Sequence, residues 1–331
     1  MADKKMTNKE VAELAGVSGA AVSRYLNGGY LSAEKRERIA AAIEKTGYVP
    51  SANARILRTR KSNDVGVILS KTDSRTMEAL ASGLEKYLYA SGYGTTIAYV
   101  GDDPLAEATA MRSLLERQID GIVLVTSGPV PGDIELFERA RVPVVIVGQK
   151  IKNTNCVHFD SKAAAYDLAV RLGLGAGARV IYVDAADRRQ SVDLDRRHGM
   201  IEGLKHTGVA EENITICTGG FTAHDSYRVV RPLLKGNTPY DFIACATDTH
   251  AAGALKALRE RYGSIVGPKI PRVSGFGNDP ILQAVAGPIP TVDFDYEECG
   301  IKAAEMMATL IKGEVRSVTS LKLGYRLVGI E

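Results

Sequence analysis

Few residues of this 331-residue chain stand at spacings that perform covalent chemistry. Gly173-Leu174-Gly175-Ala176-Gly177 is rich in glycine, but it precedes the apolar run at 179–183, whereas a dinucleotide-binding loop follows its strand. There is no Walker sequence, and Gly66 and Ser70 do not form G-x-S-x-G. Asp193, Asp195 and His198 lie close together, yet nothing supplies a further partner at metal spacing, and they read as the solvated start of a helix. Cys156, Cys217, Cys245 and Cys299 are far apart with no C-x-x-C, which points to buried thiols rather than a zinc site or a disulfide framework. What remains is binding chemistry. Lys71, Arg75, Arg188, Arg189 and Arg196 form a cationic set able to complement an anion. No enzyme activity, metal or cofactor is expected.

Charge divides unevenly along the chain. Residues 1–62 hold 12 Lys and Arg against 6 Asp and Glu, while the whole chain holds 42 against 39, so a head of +6 sits on a body of −3. Such a head favours a polyanion, although a solvated basic face has the same composition. No run approaches the roughly 18 apolar residues of a membrane span, and Met1-Ala2-Asp3-Lys4-Lys5-Met6 lacks the apolar core of a signal peptide. A cytoplasmic protein is expected.

The elements that position these residues follow from periodicity. Thr7-Asn8-Lys9-Glu10 is a capping box, and Val11, Leu14 and Ala15 follow at helical spacing, predicting a helix over 8–15. Gly16 ends it, Ser18 caps a second helix through Leu26, and Asn27-Gly28-Gly29 ends that one. A third helix over 33–46 closes a three-helix core. The segment 51–58 has a helical pattern but only about two turns, too short to stand alone where isolated helices need roughly 12 to 15 residues. From Val65 onward the pattern changes to apolar runs at 65–69, 95–100, 121–125, 142–147, 179–183, 214–217, 242–246 and 272–276, most of them followed by a helix. This alternation predicts parallel sheets with helices on both faces, in two lobes, the second starting near Asp160. A helix over 297–312 and a last strand near 321–328 complete the tail. The strands' carboxyl ends face a cleft between the lobes, where open α/β folds bind ligands.

The head resembles the DNA-binding domain of the lactose/galactose-repressor family of bacterial transcription regulators. The likeness rests on Val11-Ala12-Glu13-Leu14-Ala15-Gly16-Val17-Ser18, Ala21-Val22-Ser23-Arg24-Tyr25-Leu26-Asn27, Val49-Pro50-Ser51 and Ala54-Arg55-Ile56-Leu57. It continues through Val142-Pro143-Val144-Val145, Arg196-Arg197-His198-Gly199-Met200, Cys245-Ala246-Thr247-Asp248 and Ser274-Gly275-Phe276-Gly277, covering essentially the whole chain. The resemblance implies a small all-α helix-turn-helix head over 1–50, a hinge helix and linker over 51–62, and a periplasmic-binding-protein-like α/β core of two doubly wound parallel-sheet lobes over 63–331. The first lobe is expected to take 63–160 and 291–318, the second 161–290 and 319–331.

By the same resemblance the second helix enters the major groove with Gly19, Ala20, Ala21 and Arg24. Gly19 and Ala20 replace the longer polar side chains usual in the family, so base reading rests on Arg24 against guanine and on alanine against thymine methyls. Thr7, Ser18, Ser23 and Asn27 serve as phosphate contacts or as helix caps. Ser51, Ala54, Arg55, Leu57 and Arg58 belong to the hinge helix, whose paired Leu57 wedges into the minor groove of a palindromic operator. A homodimer on double-stranded operator DNA is implied, and a tetramer stays open, although no leucine heptads follow Leu327.

The resemblance places a small-molecule effector in the cleft, against Ser70, Lys71, Asp73, Ser74, Gln149, Arg196, Phe221, Asp248, Gly277 and Asn278. By the same resemblance, members that bind neutral sugars usually carry Asp where this chain has Gly148 and Gly277. Losing those carboxylates while keeping the cationic set favours a phosphorylated sugar, and a neutral sugar or another metabolite is the alternative. The reading is thus a regulator, most often a repressor, of a carbohydrate-utilisation operon. A solute-binding protein of the same two-lobed build has no DNA-binding head.

Overall fold

The computed structural model describes residues 6–48, 61–69, 75–101, 104–126, 136, 139–185, 191–315 and 317–330. Residues 1–62 form one compact unit and residues 63–331 another.

The first unit is built of α1 (Asn8–Ala15), α2 (Gly19–Leu26) and α3 (Ala33–Thr46). Thr7 and Glu10 close the expected capping box on α1, and Gly16 ends it at φ 59. The Ser18 hydroxyl caps α2 by accepting the Ala21 amide at 3.3 Å. Val11, Val22 and Ile39, one from each helix, are fully buried together. Each such side chain stabilises by roughly 1.5–3 kcal/mol relative to exposure. Arg38 of α3 donates to the Gly16 carbonyl at 2.9 Å and so braces the turn between α1 and α2.

The second unit begins with β1 (Asp64–Leu69), α4 (Arg75–Ala90), β2 (Gly94–Tyr99), α5 (Pro104–Glu116), β3 (Gly121–Val125), β4 (Val144–Gly148) and β5 (Asn155–Phe159). It continues with α6 (Ser161–Leu172), β6 (Val180–Asp184), α7 (Ser191–His206), β7 (Ile214–Thr218), α8 (Ala223–Lys235), β8 (Phe242–Cys245), α9 (Asp248–Tyr262), β9 (Arg272–Ser274) and α10 (Pro280–Ala286). β10 (Thr291–Asp293), α11 (Tyr296–Lys312), β11 (Ser320–Leu323) and β12 (Arg326–Val328) close the chain.

The strands form a parallel six-stranded sheet in the order β11-β5-β4-β3-β1-β2 and a parallel four-stranded sheet in the order β7-β6-β8-β9. β3 and β6 are buried along their whole length, as strands covered by helices on both faces must be. α4 and α11 share one face of the first sheet, at a crossing tight enough to require glycine. A Cβ on Gly83 would lie 2.1 Å from the Glu297 carbonyl oxygen, and one on Gly300 2.1 Å from that of Leu80.

Sheet membership near the end of the chain differs from the expected lobe boundaries. β11 pairs with β5 in the first lobe's sheet, although 319–331 was assigned to the second lobe. β10, assigned to the first lobe, instead extends the second: Gly275 and Gly277 donate to the carbonyls of Pro290 and Val292 at 2.9 and 2.8 Å. The expected single strand over 321–328 is therefore two strands in different sheets, separated by Gly324-Tyr325. β5 was missing from the expected strands because Asn155 and His158 interrupt its apolar run.

Candidate functional site

On the head, Gly19, Ala20 and Arg24 are exposed on α2, and an added Cβ at Gly19 would meet open space. Ala21 corrects the expectation of a base contact. It is buried with Val22 in the head's core, because its position on α2 turns it toward α1 and α3. The polar candidates hold helix ends. The Thr7 amide and hydroxyl donate to Glu10 at 2.7 and 2.9 Å, Ser18 caps α2, and the Asn27 side chain donates to the Ser23 carbonyl. Ser51, Ala54, Arg55, Leu57 and Arg58 lie outside the described residues.

In the second unit a cleft of about 600 Å³ opens between the two lobes, a size usual for small-molecule sites. Arg196, Phe221, Asp248, Gly277 and Asn278 line it as expected. Gln149 is buried and, among the described residues, is not part of the lining, whereas its neighbour Gly148 is. Ser70, Lys71, Asp73, Ser74, Arg188 and Arg189 lie outside the described residues.

The backbone just before Phe221 is held by His250, which is buried at the start of α9. Its Nε2 lies 2.7 Å from the Gly220 carbonyl oxygen, so that nitrogen carries the proton, and Nδ1 faces the Thr247 hydroxyl at 3.1 Å. Asp248 is an internal brace. Its Oδ2 accepts the Asp279 amide at 2.5 Å and its Oδ1 accepts the Thr291 hydroxyl at 2.9 Å. Burial pushes its carboxyl above the ordinary value, against the lowering effect of those two donors.

Arg196, on α7, lies across the Phe276 ring at 4.6 Å and donates from Nη1 to the Ala246 carbonyl at 3.1 Å. Its Nε is buried and has no partner. Three residues earlier on the same helix, Asp193 is buried with Oδ2 unpartnered. Asp193 is therefore not the solvated helix start expected of it, and its i, i+3 spacing to Arg196 puts both residues on one face of α7. Phe159, Phe276, Phe294 and Tyr296 supply aromatic surface to the same cleft.

The charge of the described lining does not follow the expected cationic set. Six acidic residues stand against three arginines. Arg75 faces Asp279 at 3.9 Å across the cleft mouth, and Arg326 pairs with Asp293 at 2.6 Å. Gly148 and Gly277 have φ of 108° and 133°, and a Cβ on Gly148 would lie 2.8 Å from the Thr126 carbonyl oxygen. Both backbones are thus of the kind that favours glycine, and at Gly148 a side chain also needs the Thr126 carbonyl to shift.

The cysteines are unpaired: Cys156, Cys245 and Cys299 are buried and Cys217 is half-buried. Burial pushes Cys217 and Cys299 up to about 12. Among the described residues no helix is long and apolar enough to cross a membrane, and no group of three or more His, Cys, Asp or Glu could hold a metal ion.

Comparison with known proteins matches residues 62–327 to the family described as periplasmic binding proteins and sugar binding domain of LacI family, and residues 7–51 to bacterial regulatory proteins, lacI family. The chain is 26% identical over 308 residues to the sucrose operon repressor of Staphylococcus xylosus, covering 92% of this chain and 94% of that protein. It is 26% identical over 323 residues to the ribose operon repressor of Haemophilus influenzae, covering 96% and 95%. Among solved structures, the lac repressor dimer bound to operator and the anti-inducer ONPF aligns with a TM-score of 0.84 at 22% identity, covering 98% of each chain. The transcriptional regulator CelR–cellobiose complex aligns at 0.71 with 24% identity, covering 99% of this chain and 100% of that one. A helix-turn-helix head and a two-lobed core, each matched to its own part of one family, leave a single assignment: this chain belongs to the LacI family of bacterial DNA-binding transcription regulators.

Proposed function

We propose that the protein is the repressor of a carbohydrate-utilisation operon, with a DNA-binding head over 1–50, a hinge over 51–62 and an effector core over 63–331. It binds a palindromic operator as a dimer, reads bases with Arg24 and pries the central step with Leu57. A small polyhydroxylated molecule in the cleft controls this binding through linkage between the two sites.

The observation that carries the effector reading is that two lining residues of α7, Asp193 and Arg196, each hold one buried atom without a hydrogen-bond partner, Oδ2 and Nε, an acceptor and a donor beside the cleft. A sugar's hydroxyl groups satisfy both, and its apolar face suits the aromatic floor. In the described lining Arg75 and Arg326 are paired with Asp279 and Asp293 and the three arginines face six acidic residues, which favours a neutral sugar over a phosphorylated one. A structure with cellobiose points the same way, and relatives named for the sucrose and ribose operons support a carbohydrate operon without bearing on phosphorylation. The phosphorylated sugar is the second reading, supported by the sequence cations Lys71, Arg188 and Arg189, which lie outside the described residues.

Calorimetric titration of sucrose, cellobiose and ribose against sucrose 6-phosphate and trehalose 6-phosphate tests the choice. We expect a neutral sugar to bind more tightly than its phosphate, and Asp193→Asn to weaken it by roughly tenfold or more through loss of charge-assisted hydrogen bonds. Tighter binding of a phosphate would replace the first reading with the second. Footprinting of the full chain on its own promoter region tests the operator, and equal protection of random duplex would refute the regulator.

A further inference from the structure

We infer that Phe294 is the positioning residue that sets the angle between the two lobes. The chain passes between the lobes three times: after β5 at Phe159, between β10 and α11 at 294–295, and between β11 and β12 at Gly324-Tyr325. Each passage places an aromatic ring against Phe294. Phe159 stacks on it with centroids 4.3 Å apart and planes at 26°. Tyr325 meets it edge-on at 6.1 Å and 84°, and Tyr296, at the start of α11, at 6.0 Å and 87°. Phe276 of the second lobe closes the cage at 5.5 Å.

Three short backbone connections alone leave two lobes free to rock, because a few φ and ψ rotations absorb the motion. A rigid ring held between all three removes that freedom. Any rocking must slide Phe159 across Phe294 or tilt Tyr325 away from it, and both lose ring contacts with preferred geometries. The neighbours bind the cage to both lobes. Phe159 and Tyr296 pack against the first lobe's core and the second's, and the Tyr325 hydroxyl donates to Asp167 of α6 at 2.6 Å. Phe294 is almost fully buried, yet it reaches the cleft lining beside Phe159, Phe276 and Tyr296. A molecule entering the cleft therefore meets the same rings that fix the lobe angle.

The test needs neither DNA nor an effector, so its failure is separate from that of the proposed function. Arg75 and Asp279 face each other across the cleft mouth at 3.9 Å. In the full chain carrying Cys217→Ser, Arg75→Cys and Asp279→Cys, a short bis-maleimide joins the two new thiols, and the intrachain adduct is followed by mass spectrometry. Phe294→Ala and Phe294→Leu are each expected to slow cross-linking about fivefold or more, from the lost ring pairs. Phe242→Leu trims another buried ring of the second lobe, one without a ring pair to any of the three passages, and leaves the rate unchanged. Circular dichroism and elution volume matching the parent confirm folding, and Phe294→Leu carries the test where Phe294→Ala does not fold. Unchanged rates in the folded Phe294 variants, or equal slowing by Phe242→Leu, overturn the proposal.

Discussion

Asp248→Asn keeps the shape of a buried carboxylate and removes one of its two acceptors. Asp248 holds the loop at 275–279 against β10, with the Asp279 amide on one oxygen and the Thr291 hydroxyl on the other. The surroundings leave no room to adjust, since even a Cβ on Gly275 would lie 1.9 Å from Asp248 Oδ1. An asparagine there turns its NH2 toward one of the two donors, and stranding a buried donor costs about 1–3 kcal/mol. The neutral amide also escapes the burial that disfavours the carboxylate, which offsets part of this, so the net loss is about 1–2 kcal/mol near neutral pH. Thr291→Val removes the same contact from its other end, and the double variant should fall short of the summed losses by about 0.5–1 kcal/mol. The pH dependence has a definite sign. Because the folded carboxyl titrates above its unfolded value, the parent loses stability as pH rises from the ordinary carboxylate range through the folded value, and the variant has no such slope. The gap between them is therefore widest in acid and narrows as pH climbs. Urea denaturation followed by circular dichroism, with the slope of the transition checked for constancy, measures all three quantities. An Asp248→Asn midpoint equal to the parent's, or strict additivity with Thr291→Val, would refute the brace.

The head and the cleft wall give further expectations. Arg24→Ala should relax preference at one base pair per half-site at a cost of roughly 1–3 kcal/mol, and an unchanged selected-site consensus would remove Arg24 from base reading. Leu57→Ala should weaken operator binding far more than nonspecific binding at matched salt; equal losses in a competition assay count against the wedge. Ser18→Ala should destabilise α2 by about 1 kcal/mol and speed exchange of the Ala21 amide it caps, so unaltered exchange contradicts the cap. Gly148→Ala forces a side chain into φ 108° and against the Thr126 carbonyl, with an expected loss of about 1–3 kcal/mol, and an unmoved thermal midpoint would show the strain to be relieved elsewhere.

What could be read from the sequence divides by the range of the interaction involved. The head was legible almost to the residue because its signals are local: Thr7 with Glu10, Gly16 at φ 59°, and Ser18 with the Ala21 amide act within four positions of one another. The αβ alternation was legible for the same reason. β5 and the split between β11 and β12 were not, because which sheet a strand joins is decided by partners such as Cys156 and Ser320, 164 positions apart. Ala21 was misplaced by its motif, since helical phase alone does not say which face meets α1 and α3.

The cleft shows the same limit in its chemistry. Counting cationic residues in the loops treats each as available to a ligand, but availability depends on tertiary neighbours. Arg75 lies against Asp279, Arg326 against Asp293, and Arg196 over Phe276. Conversely, Asp193 looks solvated in the sequence and becomes the wall's unpartnered acceptor once α7 packs. Gly148 and Gly277 complete the reversal. Where the backbone runs at φ 108° and 133°, glycine is favoured on its own account, so the absence of a carboxylate there has a second explanation besides the ligand's charge. The effector's chemistry is then better read from polar atoms that folding leaves without partners than from the formal charges a loop contains.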